Sequence, residues 1–240
     1  MNLKDLFGKA LLDYHTGKYT EDIITSTNIS SEDILPLPYL FRDYKDMPKL
    51  EQKALQLAKG KVLDVGCGAG SHSLFLQQKG FPIKAIDVSE GAITVASKRG
   101  VANAVVLDVL NETETFDTIL LLMNGTGIFQ GIKHISTYLR HLKRLLTPNG
   151  QILIDSSDIK YMYDDEYDDP DGSWPWIDTN ANYYGELDYF ISYKGVKENP
   201  MKWLYLDFDS LKMACEYEGL QCKLVLEGEH FDYLAKIHAD

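Results

Sequence analysis

Cysteine is scarce in this chain. Only three occur in 240 residues, Cys67, Cys215 and Cys222. None forms a CxxC pair, which removes the common zinc-site pattern and any disulfide framework and fits a cytosolic protein. Positive charge is also short. Against 36 Asp and Glu stand 24 Lys and Arg, a formal charge of −12. An acidic surface repels phosphate backbones, so a general nucleic-acid partner is not expected. No apolar run approaches the length of a membrane span. Lys4, Asp5 and Lys9 break up the N-terminal stretch where a signal peptide would need its apolar region. These absences predict a cytoplasmic protein without a membrane partner.

What remains is ordinary globular material, 45% hydrophobic and 25% charged, enough for a real core. Leu3, Leu6, Phe7, Ala10, Leu11 and Tyr14 recur at helical spacing up to Gly17, and Leu50, Ala54, Leu57 and Ala58 do so up to Gly60. Between them lies a polar Thr/Ser stretch, then Pro36, Pro38 and Pro48, which confine that segment to loops and short turns. Residues 1–59 are therefore expected to form a helical cover.

From Lys61 the pattern alternates. Strands are predicted at 62–65, 83–87, 104–107, 118–122 and 151–155. Helices are predicted at 71–79 and 90–99, and another is marked by Ile132, Ile135, Leu139, Leu142 and Leu146, ended by the turn Pro148-Asn149-Gly150. This pace implies a parallel sheet with helices on both faces, and ligands beyond the carboxyl ends of its strands. Residues 156–200 break the alternation. They are acidic and aromatic, YMYDDEYDDPDGSWPW, followed by a strand with Leu187, Tyr189, Ile191 and Tyr193 on one face. A closing helix at 211–217, started near Asp207 or Asp209, and a hairpin of CKLVL and YLAKI complete residues 201–240. The whole reads as a single domain.

The chemistry is concentrated in VLDVGCGAGSHS, Val62 to Ser73. Gly66, Gly68 and Gly70 remove Cβ atoms where a strand turns into a helix and a ligand approaches closely. The Gly-Lys-Ser/Thr ending of a triphosphate loop is missing, and GxGxG departs from the dinucleotide pattern GxGxxG, with Ser71 at the position of the last small residue. Asp87 ends the second strand, where a carboxylate can accept both ribose hydroxyls.

DVGCGAG behind Asp64, AIDVS with Asp87, VVLDVL with Asp108, FDTILLLMNGTG and LLTPNGQILID follow one another in order. Over roughly Lys61 to Asp155, plus the closing helix and hairpin, the chain resembles the class I S-adenosylmethionine-dependent methyltransferases. The resemblance implies a Rossmann-like, doubly wound, mostly parallel seven-stranded sheet ending in an antiparallel hairpin, with S-adenosyl-L-methionine as cofactor. It implies that Asp64, Gly66, Cys67, Gly68 and Gly70 line the methionine portion and ribose, that Asp87 takes the ribose hydroxyls and that Val88 lies against the adenine. Asp108 and the Val109 backbone would meet the adenine edge, and Met123 and Asn124 would face the methyl-transfer centre.

Outside the motifs, Arg42 is a candidate for the methionine carboxylate, with a surface salt bridge as the alternative. Asn124 and His134 are the candidate catalytic residues, and Tyr161, Trp174 and Trp176 the candidate acceptor contacts. His72 follows the glycine loop and is expected either near the cofactor or packed; His141 is expected to be structural. Asp169-Pro170-Asp171-Gly172 lacks the remaining spacing of a calcium loop, and no metal is expected. The expected activity is methyl transfer to an O or N nucleophile of a small molecule. A non-catalytic S-adenosylmethionine-binding module stays open, and so, with less support, does an NAD-dependent oxidoreductase.

Overall fold

The computed structural model describes residues 5–166 and 183–239. Along the chain run α1 (Leu6–His15), β1 (Ile23–Thr27), β2 (Asp33–Leu35), a helical turn α2 (Leu37–Leu40), α3 (Lys49–Leu57), β3 (Val62–Val65), α4 (Ser71–Gln78), β4 (Ile83–Asp87), α5 (Glu90–Arg99), β5 (Ala104–Val106) and β6 (Phe116–Leu121). Then come α6 (Ile135–Arg144), β7 (Leu146–Ser157), β8 (Glu186–Tyr193), β9 (Val196–Lys197), β10 (Met201–Leu204), α7 (Phe208–Tyr217), β11 (Leu220–Glu227) and β12 (Asp232–Ala239). Among the described residues no helix is long and apolar enough to cross a membrane.

Seven strands form the main sheet in the order β11-β12-β7-β6-β3-β4-β5. β3 to β7 are parallel, and β12 enters antiparallel between β7 and β11. β3 lies next to the central strand β6, with all four residues of VLDV buried, Asp64 included, as in a strand covered on both faces. Strand order reverses between β3 and β6, so the ligand crevice opens beyond their carboxyl ends. The expected fold class is thereby confirmed. The predicted turn Pro148-Asn149-Gly150 lies inside β7, where the pairing register with β6 shifts between Phe116 and Thr118; Asn149 takes the required left-handed φ of 66°.

The N-terminal region differs from the expected helical cover. Residues 23–35 form an antiparallel hairpin that joins β8 and β10 in a second sheet, ordered β10-β8-β1-β2 with β9 on β8. The β-branched run Ile23-Ile24-Thr25-Ser26-Thr27 supplies the strand chemistry, but its main partner is distant: Thr25 pairs with Ile191. Residues 201–204, expected with the closing elements, belong to this sheet as β10. Its inner face sets Ile23, Ile191 and Tyr193 into one cluster with Leu6, Ala10 and Leu11 of α1. Trp203, on the same face, leaves no room for a Cβ at Gly127, just beyond β6. The small sheet thus roofs the carboxyl edge of the large one.

α1 completes the cover. Asp5 caps it by accepting the Gly8 N–H at 2.8 Å, and the same carboxylate accepts the Ser89 hydroxyl at 2.8 Å and the Gly91 N–H at 2.9 Å. One side chain therefore holds the N-termini of α1 and α5 together, and the helices meet backbone to backbone at Gly8 and Gly91.

Candidate active site

The glycine loop carries three left-handed residues, Gly66, Gly68 and Gly70, with φ of 71°, 52° and 82°. At Gly70 a Cβ would come within 2.8 Å of Val101, so only glycine fits. At Gly66 and Gly68 a Cβ would meet nothing closer than 3.8 Å, and the loop leaves open space on its ligand face. Arg99 of α5 braces the loop from behind by donating to the Ala69 carbonyl at 2.6 Å.

Asp87 ties this loop to the end of β4. Oδ2 accepts the Gly68 N–H and Oδ1 the Ser89 N–H, each at 2.9 Å. Burial pushes its carboxyl upward, yet each oxygen keeps a lone pair for a further donor. Val88 beside it is 72% exposed, presenting an uncovered apolar side chain to the groove. Asp108 is exposed and accepts the Leu110 N–H at 2.9 Å; the Val109 side chain is buried in the core.

Two loop-adjacent residues sit deeper. Asp64 is buried and accepts the Ser73 hydroxyl at 2.6 Å, which anchors the first turn of α4 beneath the loop. Burial raises its carboxyl pKa. Burial likewise pushes the Cys67 thiol up, leaving it neutral and without nucleophilic character.

Beyond β6 the chain makes two consecutive left-handed, non-glycine residues, Met123 at φ 67° and Asn124 at φ 61°. Such backbone needs external support. Asp155, at the end of β7, supplies it by accepting the N–H groups of Met123 and Gly125, both at 2.9 Å. Asn124 Oδ1 accepts the Ser156 hydroxyl at 3.0 Å, and its Nδ2 donates to the Leu204 carbonyl at 3.4 Å. β6, β7 and the roof are thus locked at one point.

Arg42 is placed otherwise than as a free partner for a cofactor carboxylate. Its guanidinium is buried, pairs with Glu51, donates to the Tyr39 carbonyl at 2.6 Å and stacks 3.9 Å from the Tyr39 ring centroid. The alternative, a salt bridge, is what forms, but buried. Glu51 also receives His72 Nε2 at 2.7 Å. Burial opposes both charges; His72 and then Arg42 nevertheless hold the Glu51 carboxyl below its ordinary value, and Glu51 with Asp64 holds His72 above its own. His141 is buried in α6 beside Arg144, as a structural histidine would be.

A cavity of about 250 Å³ adjoins this region, lined by Tyr39, Pro48, Leu50, Glu51, Met123, Asn124, Asp155, Ser156, Ser157 and Asp232. Its lining comes from residues 39–51, the turn after β6, the end of β7 and the first residue of β12. The structure brings Met123 and Asn124 into it. His134, at the N-cap of α6, is not among its lining residues. Tyr161 stacks on Phe231 with ring centroids 5.0 Å apart, next to Asp232. Trp174 and Trp176 lie outside the described residues. Among the described residues no group of His, Cys, Asp and Glu is arranged to hold a metal.

Sequence reasoning missed Asp155, Glu51 and Asp232 as site residues. Asp155 had a signal, an acidic residue closing a predicted strand at the sheet's carboxyl edge. Glu51 looked like any exposed carboxylate on an amphipathic helix.

Comparison with known proteins bears on this geometry. The pattern of a methyltransferase domain matches residues 39–194, more than half of the chain. A crystal structure of an S-adenosylmethionine-dependent methyltransferase from Bacteroides fragilis, in complex with S-adenosyl-L-homocysteine, is 39% identical, with a TM-score of 0.88 over 98% of this chain and 95% of that one. A protein of Geobacillus sp. (strain WCH70), whose name gives methyltransferase and no acceptor, is 25% identical over 80% of this chain and 81% of its own. The ubiquinone biosynthesis O-methyltransferase of Rickettsia conorii is 25% identical over 44% of this chain and 38% of its own. With the sheet order, the left-handed glycine loop and Asp87 already in place, these matches settle the assignment: the chain belongs to the class I S-adenosylmethionine-dependent methyltransferases.

Proposed function

We propose that the protein transfers the methyl group of S-adenosylmethionine to an O or N nucleophile of a small molecule held in the cavity beside Met123. The observation that supports this reading is a cavity of about 250 Å³ whose lining includes Met123, Asn124, Asp155 and Ser156, residues at the carboxyl ends of β6 and β7 where an open α/β sheet binds its ligands.

The residues fit the cofactor. In this reading Asp87, which keeps lone pairs free, takes the ribose hydroxyls, Asp108 and the Val109 backbone meet the adenine edge, Val88 the ring face, and Met123 the methionine end. When bound, the cofactor supplies an electrophilic methyl on a sulfonium. The protein then has mainly to align a nucleophile with it and exclude water. Asp155 contributes by fixing the strained Met123-Asn124 backbone, so the boundary between groove and cavity does not drift. The buried Arg42–Glu51–His72 cluster fixes Tyr39, which forms one cavity wall. In this reading Tyr161, stacked on Phe231 next to Asp232, meets the acceptor's apolar part.

Calorimetric titration with S-adenosylhomocysteine, followed by incubation with S-adenosylmethionine and a metabolite extract, tests the reading. Saturable binding and production of S-adenosylhomocysteine are expected. Failure to bind overturns the cofactor assignment; binding without turnover leaves only a cofactor-binding module.

A further inference from the structure

We infer that the acceptor is an amine carrying an apolar or aromatic body, and that Asp155 takes the proton its nitrogen must lose. The inference rests on the methyltransferase reading above and assigns the acceptor chemistry of that same cavity.

Three carboxylates, Glu51, Asp155 and Asp232, line the cavity, and among the described residues no Lys, Arg or His does. Glu51 is balanced from behind by Arg42 and His72. Asp155 has no such partner. Its two oxygens accept only backbone N–H groups, those of Met123 and Gly125, and each retains acceptor capacity. Of the nearby charged side chains, Glu51 raises its pKa and His72 lowers it. Asp232 stands at the mouth and accepts the His230 N–H at 3.1 Å. A neutral hydroxyl gains little in such a cavity, whereas an ammonium gains a counter-charge and a hydrogen bond at once.

The mouth adds an apolar requirement. Tyr161 is 44% exposed and stacks on Phe231, itself 63% exposed. Phe231 also accepts the Asp158 N–H through its carbonyl at 2.9 Å, which fixes the pair beside Asp232. An acceptor that reaches Asp155 with its nitrogen has Tyr39, which lines the same cavity, for its body, and an aromatic face suits both an apolar surface and a nearby cation.

Proton balance follows the same geometry. An amine entering as the ammonium cannot attack until it loses a proton. Burial has pushed the Asp155 carboxyl up to about 6, so it is ionised at neutral pH yet a better base than an ordinary carboxylate. The proton moves from nitrogen to Asp155. The nitrogen lone pair then forms the N–CH3 bond as the S–CH3 bond breaks, with that electron pair staying on sulfur. The products are the methylated ammonium and a neutral thioether, and the proton on Asp155 leaves to solvent.

The decisive experiment supplies the intact protein with S-adenosylmethionine carrying a deuterated methyl group. The acceptor source is either a metabolite extract or matched pairs of arylalkylamines and their hydroxyl isosteres, such as phenethylamine and 2-phenylethanol. The label is expected on nitrogen, with at least a tenfold preference for amines. The rate should climb with pH through about 6 in step with Asp155. Asp155→Asn should remove that rise and lower kcat about 100-fold, a fall larger than any loss of S-adenosylhomocysteine affinity caused by the one backbone N–H the amide no longer accepts. Asp232→Asn should raise the amine KM several-fold with little change in kcat, an effect a merely structural role would not produce. Label on oxygen, or no labelled product despite intact S-adenosylhomocysteine binding, overturns the amine assignment. Loss of S-adenosylhomocysteine binding in the unmodified protein overturns the underlying methyltransferase reading instead.

Discussion

His72 Nε2 lies 2.7 Å from Oε2 of Glu51, and Arg42 pairs with the same carboxylate from the other side. One buried carboxylate therefore joins two buried side chains from different elements, His72 of α4 and Arg42 of the segment after α2. Removing the anion leaves Arg42 uncompensated in a site that is almost dry. Glu51→Gln is expected to destabilise the fold by about 3–5 kcal/mol, read as a drop in the urea midpoint at unchanged slope. A loss under 1 kcal/mol would show that the cluster is far better hydrated than its burial implies.

Asp87 ties the glycine loop to the end of β4, and the proposed function gives it the ribose hydroxyls. Asp87→Ala should weaken S-adenosylhomocysteine binding by roughly 1.5–3 kcal/mol, the scale of lost charge-assisted hydrogen bonds. Isothermal calorimetry measures it directly, and unchanged affinity would refute the ribose assignment.

The roof contact has its own probe. A Cβ at Gly127 has no room against the Trp203 ring, so Gly127→Ala forces the two apart. Overpacking of this kind costs about 1–3 kcal/mol. Thermal denaturation should register that loss, and the Trp203 emission should shift as its ring gains water.

Asp155 makes a signed prediction about pH. Its folded-state pKa, raised from 3.8 to about 6, means that the folded chain binds the proton more tightly than the unfolded one. That contribution is fully present below about pH 4 and disappears as pH rises through about 6, a change of up to ~3 kcal/mol. Measured against Asp155→Asn, the wild-type protein should lose relative stability from pH 4 to 7. A flat difference across that window would place Asp155 in contact with bulk water.

The cofactor core was legible because its signals are local. β3 shows as an apolar run, the loop as three glycines within five residues, and Asp87 as the acid closing the next strand. The roof was not, since Ile23–Thr27 pairs with residues 189–192, and nothing in a five-residue Thr/Ser-rich stretch announces a partner so far along the chain. Its own polar residues on the exposed face made it look like a loop. Arg42 was noticed, but its partner Glu51 was not. A carboxylate on a short helix is normally solvated, and only the placement of Arg42 and His72 against it makes burial affordable.

The small sheet also divides the molecule's history from its geometry. β8 lies within the span shared with the methyltransferase domain, residues 39–194, but both strands it pairs with most, β1 and β10, lie outside that span. The small sheet is therefore completed by chain on either side of the matched part. β10 joins it only after the glycine loop and β3 to β7 have been synthesised. Substitutions in those flanking strands act on the main sheet through contacts such as Trp203 against Gly127, and alter no residue of the glycine loop.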